Sequence, residues 1–204
     1  MMEEKRRNSK GSIAVDLDNT LADTSSVVVK EIRDRYNPDA SIECWTQYSA
    51  DKSFGIPHST TLKLFHEAWR SWRDIPIVDR AIPGVLSKAR TRADIYIVTA
   101  TVGRKEDFTQ WLDYHRVGYD GIIVVDHSTE KINVGKLRGI GTYIDDHDVV
   151  ARSVAAEGRR VILLEQPWNH DFAESNSDPN IIPARDWAEI GSILESLYAE
   201  PGNQ

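Results

Sequence analysis

Two carboxylates one residue apart follow the first apolar segment of the chain. Ile13, Ala14 and Val15 form a short apolar run typical of a buried strand, and Asp16 and Asp18 come directly after it. In extended backbone, residues i and i+2 point to the same face, so these two carboxylates converge if the strand geometry persists. Two negative charges so near to each other are costly unless a cation or a shared proton compensates them. Mg²⁺, which binds oxygen ligands, is the natural partner, and solvated acids in a strand-end turn are the alternative.

Further polar residues follow other apolar runs of the chain. Thr99 ends one run, Asp145 and Asp146 end another, and Lys131 lies in the helical segment that leads into the latter. Ligands of open α/β sheets bind beyond the carboxyl ends of the strands. We therefore expect several acids, one hydroxyl and one ammonium group to gather at a single edge of a sheet.

The elements that must position these residues follow from the hydrophobic pattern. Segments of helical period, two of them ending near Gly118 and Gly158 and a third beginning at Asp186, alternate with short apolar runs. Such alternation predicts a doubly wound, Rossmann-like α/β fold with a parallel sheet. The runs predicted as strands buried on both faces are 95–98, 122–125, 142–144 and 161–164.

Residues 22–81 break this alternation and predict a helical insertion. No convincing buried strand occurs there, and apolar residues recur at helical spacing. The predicted core is therefore 12–21 plus 82–204, and residues 1–11 are expected to form a flexible tail. Two apolar stripes define the predicted helices of the insertion, Val28, Ile32 and Tyr36 in one and Leu62, Phe65, Trp69 and Trp72 in the other.

Composition narrows the class of protein. A chain of 204 residues with 40% hydrophobic residues can form one core of ordinary size with a small inserted module. Its formal net charge of -7 argues against binding to a nucleic-acid polymer. Cys44 is the only cysteine, and no signal peptide or long apolar segment is evident, so we expect a cytoplasmic protein without a membrane partner. The sequence does not indicate an oligomeric state.

The motifs resemble those of the haloacid dehalogenase-like hydrolase superfamily, and the resemblance covers nearly the whole chain. The first family motif, an apolar strand followed by DxDxT, matches residues 16–20 in full. The second, a strand that ends in Thr or Ser, matches Thr99, and the acidic fourth motif matches Asp145-Asp146. The family lysine matches Lys131, and Lys105 and Lys136 are the weaker candidates. The resemblance implies a Rossmann-like core with the insertion at 22–81 in the C1 cap position.

The family mechanism gives each motif residue an expected role. Asp16 would attack phosphorus and form an aspartyl-phosphate, and Asp18 would protonate the leaving oxygen and later deprotonate water. Thr99 and Ala100, with nearby backbone amides, would bind the phosphate, while Lys131 would offset its charge. Dehalogenases need no acid two residues after the nucleophile, since halide leaves unprotonated. Asp18 therefore favours hydrolysis of a phosphate ester.

The same resemblance implies a Mg²⁺ site. The expected ligands are the Asp16 carboxylate, the Asp18 backbone carbonyl and one acid of the pair Asp145-Asp146. In related nucleotidases the second acid ligates, which favours Asp146. Such an ion lets an anionic nucleophile and an anionic phosphate approach each other.

Two features resemble the 5'-nucleotidase branch of the family, which includes deoxyribonucleotidases. One is the acidic pair after Ile144, and the other is the segment 163–169, which resembles a Pro-aromatic-Asn stretch of bacterial and archaeal relatives. The resemblance implies a nucleoside monophosphate as the substrate. Aromatic residues of the insertion would then pack on the base, and the candidates are Trp45, Tyr48, Phe54 and Trp69.

Other functions stay open. A phosphatase of another small metabolite, such as a sugar phosphate, or a phosphotransferase would use the same aspartyl-phosphate chemistry. A receiver-like signalling domain also clusters acids, Thr and Lys around Mg²⁺, but DxDxT on the first strand and the insertion argue against it. A non-catalytic binding protein is disfavoured because Asp16, Asp18 and Thr99 are intact.

Overall fold

The computed structural model describes residues 11–199 of the chain. The β-strands are β1 (Gly11–Val15), β2 (Ala93–Thr99), β3 (Gly121–Val124), β4 (Thr142–Asp145), β5 (Arg160–Leu164) and β6 (Ile181–Ala184). The α-helices are α1 (Thr24–Arg35), α2 (Ala50–Phe54), α3 (His58–Arg70), α4 (Ile82–Ala89), α5 (Lys105–Tyr114), α6 (Lys131–Arg138), α7 (Asp148–Ala156), α8 (His170–Ser175) and α9 (Trp187–Leu197). Short 3-10 turns occupy Ile42–Cys44, Trp72–Asp74 and Ser128–Glu130.

The strands form one sheet in which every pairing is parallel. Their order is β3-β2-β1-β4-β5-β6, so β1 lies between β2 and β4. Val15, at the end of β1, is in register with Ile97 of β2 and Ile144 of β4. The carboxyl ends of these three strands therefore meet at one edge, and the predicted doubly wound α/β fold is confirmed.

Side-chain alternation along the strands divides the core into two layers. Ile13 and Val15 of β1 pack in the cluster that contains residues of α4, α5 and α9. Ala14 of β1 packs on the opposite face with residues of α7, such as Val150 and Val154. This two-sided burial explains why β1 reads as a continuous apolar run. Helices cover both faces, and in the described part of the chain none is long and apolar enough to cross a membrane.

The strands at the two edges of the sheet differ from the sequence prediction. The run 122–125 was expected to be buried on both faces, yet β3 is an edge strand and Val124 is 43% exposed. An edge strand has a neighbour on one side only, so its apolar residues are covered less. Strand β6 was not predicted, because Pro183 interrupts the apolar pattern and a proline in a strand is tolerated mainly at an edge.

The segment 22–81 contains helices α1, α2 and α3 and no strand, as the hydrophobic pattern predicts. It has an apolar cluster of its own, to which the core contributes Trp168. Two members of the predicted stripes are not buried, since Tyr36 is 49% and Leu62 is 43% exposed. Helical spacing identified a common face in each case, but the ends of both stripes extend beyond the packed region.

The predicted N-terminal tail includes Gly11, which the structure places in β1. Gly11 pairs with Ala93 in the same register as the rest of β1, so the first strand begins inside the segment 1–11. Residues 1–10 of that predicted tail lie outside the described residues, as do residues 200–204.

Candidate active site

Three adjacent strand ends bring the sequence-predicted residues together. Asp16 directly follows β1, Thr99 is the last residue of β2, and Asp145 is the last residue of β4. The Asp16 amide donates to the Ile144 carbonyl at 2.9 Å, which extends the pairing of β1 with β4 by one step. All three polar side chains are buried, so the carboxyl edge of the sheet holds a polar cluster within an otherwise apolar interior.

Lys131 supplies the positive charge of this cluster. It is the first residue of α6, it is 2% exposed, and its Nζ lies 2.8 Å from Asp16 Oδ1 and 2.8 Å from Asp145 Oδ2. The two weaker lysine candidates are on the surface. Lys136 pairs with Glu157 at 2.9 Å, and Lys105 is exposed at the start of α5. A buried lysine is stable only when it is paired and hydrogen-bonded, and Lys131 meets both conditions.

The acids of the cluster are arranged as a cation site. One carboxylate oxygen from each of Asp16, Asp145 and Asp146 lies within 4.8 Å of the others, and all three residues are buried. Three carboxylates and the single ammonium of Lys131 leave a formal charge of about two negative units, which matches a divalent cation. Among the described residues this group has three carboxylate oxygens and includes no histidine or cysteine, a donor set that suits Mg²⁺. The residues present therefore fit the ion that the family resemblance implies.

The acidic pair after β4 uses its oxygens unequally. Asp145 accepts from Lys131 with Oδ2 and from the backbone amide of His147 with Oδ1, at 3.0 Å. Asp146 accepts from the Trp168 indole with Oδ2 at 3.1 Å. The hydrogen bonds of the described residues thus occupy both oxygens of Asp145 but one oxygen of Asp146. This difference supports Asp146 as the more available ligand.

The electrostatics of the cluster reflect an excess of negative charge. Burial raises the pKa of Asp16 to about 7; the Lys131 ammonium opposes this shift and the Asp145 carboxylate adds to it. Burial and the neighbouring acids Asp16 and Asp145 also raise the pKa of Asp146 well above its ordinary value. Burial tends to lower the pKa of Lys131, but the two carboxylates that it contacts outweigh this effect and raise it. A proton or a cation is therefore bound readily at this edge.

Asp18 does not belong to this group of three acids and has different hydrogen-bond partners. Its side chain is half-buried, and its Oδ1 accepts a hydrogen bond from the Trp69 indole at 2.9 Å. Burial raises the pKa of Asp18, and hydrogen bonding to its carboxylate opposes the shift. Its carboxylate is not a member of the cation cluster, which agrees with an expected contribution through its backbone carbonyl alone.

The turn after β1 is fixed by Asn19, a residue of the DxDxT motif for which the sequence predicts no separate role. Asn19 has a φ of 58°, in the left-handed region that asparagine tolerates better than most residues. Its Oδ1 accepts from the Thr24 hydroxyl at 3.0 Å and from the Ser25 amide at 2.9 Å. This turn redirects the backbone after Asp18 and connects β1 to α1.

A cavity of about 180 Å³ opens at the same edge of the sheet. From the core, Asp16, Asp18, Thr99, Ala100 and Lys131 line it, so the predicted catalytic and phosphate-binding residues share one space. The insertion forms the facing wall. The wall residues are Trp45, Tyr48, Ser49, Ala50, His58, Thr61, Leu62 and Phe65.

Two of the four aromatic residues expected to contact a base do not line this cavity. Trp45 and Tyr48 do, but Phe54 packs edge-on against Trp45 at 5.8 Å within the insertion, and Trp69 is fully buried. Phe65 takes their place at the cavity wall. Spacing along a helix cannot distinguish an aromatic residue that faces a cavity from one that faces the core.

Two further contacts surround the acidic pair. The segment 163–169 was chosen from its resemblance to relatives, and in the structure Asn169 Nδ2 donates to the Asp146 carbonyl at 2.7 Å, beside the bond from Trp168. On the other side, the rings of Tyr48 and His147 stack with centroids 3.4 Å apart. The resemblance draws attention to the segment 163–169 but does not predict its contacts with Asp146. The stacking of Tyr48 on His147 joins residues about a hundred positions apart and was not predicted either.

Comparison with known proteins gives structural matches only. No protein-family model and no curated sequence matches the chain. A haloacid dehalogenase-like family hydrolase from Streptococcus pneumoniae has a TM-score of 0.68 at 14% identity, over 91% of this chain and 98% of that one. Protein tyrosine kinase A from Mycobacterium tuberculosis has a TM-score of 0.63 at 17% identity, over 92% and 99%. A protein described as a predicted phosphoglycolate phosphatase from Haemophilus somnus has a TM-score of 0.56 at 15% identity, over 90% and 97%.

These matches identify the fold. The chain has the fold of the haloacid dehalogenase-like superfamily, and the matches span nearly the full length of both chains. The DxDxT motif at 16–20 and the acidic pair after β4 lie at the strand ends where the resemblance implies them.

Proposed function

We propose that this protein is a Mg²⁺-dependent phosphomonoester hydrolase that acts through an aspartyl-phosphate. The observation that carries the proposal is the buried cluster of Asp16, Lys131, Asp145 and Asp146 beside Asp18, at the carboxyl edge of a parallel sheet. A fixed ammonium and several carboxylates at one edge serve no evident packing purpose, and burying them is costly. Their chemistry suits a phosphate dianion and a divalent cation.

In the proposed reaction, an Asp16 carboxylate oxygen attacks phosphorus and the bond from phosphorus to the ester oxygen breaks. Asp18 gives its proton to the departing oxygen, so the product leaves as a neutral alcohol. Water then attacks phosphorus, Asp18 accepts the water proton, and the bond to Asp16 breaks to release phosphate. Mg²⁺, held by Asp16, the Asp18 carbonyl and Asp146, would stabilise charge on the phosphoryl oxygens.

The remaining cavity residues have supporting roles in this proposal. Lys131 stays hydrogen-bonded to Asp16 and keeps the nucleophile oriented, while its charge attracts the phosphate. Thr99 is the last residue of β2 and Ala100 follows it, so a hydroxyl and backbone amides at this strand end can donate to phosphoryl oxygens. The insertion at 22–81 acts as a cap, since it supplies the wall opposite the strand ends. A cytoplasmic location stays a prediction.

A nucleoside monophosphate is the substrate that we propose first. Tyr48, Leu62 and Phe65 give the cap wall an apolar and aromatic surface, and stacking on an aromatic ring is worth about 1–3 kcal/mol per base. The size of the cavity favours a second candidate. Its volume of about 180 Å³ is below the roughly 300–1,000 Å³ of most ligand pockets. The small volume therefore favours a smaller phosphorylated metabolite, such as a sugar phosphate, as the second candidate.

The experiment that tests the proposal is phosphate release from a panel of nucleoside monophosphates, sugar phosphates and phosphoglycolate, with Mg²⁺ and with EDTA. Metal-dependent release from nucleotides alone supports the nucleotidase proposal. Release from sugar phosphates or phosphoglycolate keeps the mechanism and replaces the substrate. Loss of phosphate from the donor that requires an added alcohol or sugar, with the phosphoryl group recovered on that acceptor and not as free phosphate, identifies a phosphotransferase. The Asp16→Asn variant, purified in parallel, measures any contaminating phosphatase, and equal activity of this variant would refute the proposal.

A further inference from the structure

Trp69 connects the insertion to the first motif through one hydrogen bond. Its Nε1 donates to Asp18 Oδ1 at 2.9 Å across 51 positions of sequence. Trp69 belongs to α3, whereas Asp18 follows β1. The indole is fully buried, so no solvent competes for its N–H group. A buried indole N–H without this partner would lose a hydrogen bond, which makes the contact a fixed feature of the fold.

The Trp69 ring is held in place by the core. It packs edge-on against Phe108 at 4.7 Å and against Trp111 at 6.3 Å, both on α5. Gly103, in the loop between β2 and α5, allows this approach. A Cβ atom at Gly103 would lie 2.7 Å from the Phe108 ring and 3.2 Å from Trp69 Cβ. The indole therefore has little room to move away from Asp18.

The direction of this hydrogen bond determines where Asp18 can carry a proton. An indole nitrogen donates and does not accept. Oδ1 of Asp18 is therefore the acceptor of this contact in either protonation state. In a protonated carboxyl group the carbonyl oxygen is the better acceptor, so the contact favours Oδ1 as the carbonyl oxygen and Oδ2 as the oxygen that carries the proton. The tryptophan thus selects one of the two carboxyl oxygens for proton transfer and orients the carboxyl plane.

We infer that Trp69 is a positioning residue for proton transfer by Asp18. This inference rests on the proposed function, in which Asp18 is the general acid and base. While the Asp16–phosphorus bond forms and the phosphorus–oxygen bond of the ester breaks, the Asp18 Oδ2 proton moves to the leaving oxygen. In the second half, the proton of the attacking water returns to Oδ2. Trp69 touches neither the phosphate nor the leaving group in this scheme, and it acts by holding Oδ1.

Through Trp69, the insertion contributes to catalysis in addition to covering the cavity. Helix α3 supplies both Trp69 and the cavity-lining residues Thr61, Leu62 and Phe65. A substrate that contacts these residues therefore touches the helix that orients Asp18. Substrate recognition and orientation of the acid are joined in one rigid element.

The test compares Trp69→Phe with Trp111→Phe. Both tryptophans are fully buried, both rings contact each other, and the Trp111 indole donates to the Ile75 carbonyl at 2.9 Å, away from Asp18. Each substitution removes one buried indole donor from the same cluster and keeps an aromatic ring. The readout is kcat/KM for 4-nitrophenyl phosphate, whose leaving group needs no proton, and for an alkyl phosphate, whose leaving group does.

We expect Trp69→Phe to lower kcat/KM for the alkyl phosphate by about ten- to a hundredfold more than for 4-nitrophenyl phosphate. Trp111→Phe is expected to lower both values by the same factor. Equal losses with the two substrates in Trp69→Phe would overturn the positioning role. Absence of hydrolysis by the unmodified protein would instead refute the proposed function, so the two failures are distinguishable.

Two further measurements distinguish a loss of positioning from a variant that folds poorly. Benzothienylalanine at position 69 keeps the shape of the ring system and replaces the N–H group with sulfur, and the same selective loss is expected from it. In an Asp18→Asn background, Trp69→Phe should cause no additional selective loss, because the acid that it orients is absent. A selective loss that persists in that background would contradict the inference.

Discussion

Replacement of Lys131 by methionine tests the electrostatic account of the cluster through protein stability. The substitution keeps an unbranched side chain of similar length and removes the ammonium, which lies 2.8 Å from Asp16 and 2.8 Å from Asp145. Without it, the buried oxygens of Asp16, Asp145 and Asp146 face one another within 4.8 Å and no cation compensates them. The metal-free variant should therefore be strongly destabilised at a pH where these groups are ionised.

The size of the effect follows from the distances. At 2.8 Å and an effective dielectric constant near 20, each ion pair of Lys131 is worth about 6 kcal/mol before desolvation. Desolvation of a buried ammonium costs several kcal/mol, so the loss on breaking such pairs is about 3–5 kcal/mol. For a chain of this size, that loss corresponds to a decrease in Tm of roughly 6–20 °C.

The destabilisation should depend on pH, and the raised pKa of Asp16 determines the direction of this dependence. The pKa of Asp16 is raised from 3.8 to about 7, so between these values the folded state binds more protons than the unfolded state. Stability from this group therefore falls as the pH rises through that window. Lys131 lowers the pKa of Asp16, so in the variant that pKa lies above 7. The penalty of Lys131→Met is thus larger at pH 8 than at pH 6, where the carboxyl holds a proton.

Urea unfolding at pH 6 and pH 8, with EDTA and with Mg²⁺, measures these effects. Lys136→Met is the matched control, since Lys136 lies on the same helix and pairs with Glu157 on the surface. We expect this control to cost less than about 1 kcal/mol at either pH. Mg²⁺ should restore part of the stability of Lys131→Met. A penalty for Lys131→Met that is equal at both pH values and unaffected by Mg²⁺ would refute the reasoning.

Three further predictions concern the acids themselves. Asp16→Asn should lower turnover by about a thousandfold or more. Its Tm should be unchanged or higher, since one of the mutually repelling carboxylates is removed. A folded variant with full activity would exclude Asp16 as the nucleophile. Mg²⁺ affinity, measured by calorimetry, should fall by about ten- to a hundredfold per pH unit below pH 7, because one or both of the protons held by Asp16 and Asp146 must be displaced by the ion. An affinity that does not vary from pH 6 to pH 8 would contradict this. Trp168→Phe removes the donor to Asp146 and should weaken Mg²⁺ binding by about 10–100-fold. The control Trp111→Phe should not weaken it. Equal Mg²⁺ affinities of the Trp168→Phe variant and the unmodified protein would show that the Trp168 contact does not tune the site.

Much of the site could be predicted from sequence because its residues lie at the ends of short buried strands. The periodicity of β1 places Asp16 at a strand end, and the same argument places Thr99 and Asp145. Parallel strands then bring these ends together without any knowledge of side-chain contacts. Lys131 was a candidate from its position before the fourth strand and was matched to the family lysine by the resemblance; its burial and double ion pair distinguish it from Lys105 and Lys136.

The contacts between the insertion and the core could not be predicted. The hydrogen bond from Trp69 to Asp18 joins residues on separate elements, and the apolar stripe of α3 predicts burial for Trp69 without indicating its polar partner. The same stripe includes Leu62, which lines the cavity instead of the core. Apolar periodicity specifies which face of a helix is covered, and tertiary packing decides what covers each position along it.

The edges of the sheet show a second limit of pattern analysis. Strand β3 has the apolar run of a central strand, yet only one neighbour covers it. Strand β6 carries Pro183, which argues against a central strand and is compatible with the edge position that it takes. The number of neighbours that a strand has is a property of the whole topology, so local composition does not reveal it.

The proposed mechanism requires that Asp16 becomes phosphorylated during turnover. The most direct measurement is rapid acid quench of the Asp18→Asn variant with 4-nitrophenyl phosphate and Mg²⁺, followed by peptide mass spectrometry. Loss of the general base should slow hydrolysis of the intermediate, so the peptide that contains Asp16 is predicted to gain the mass of one phosphoryl group. Nitrophenol release by that variant without any phosphoryl group on this peptide, or with one on a different residue, would contradict the account.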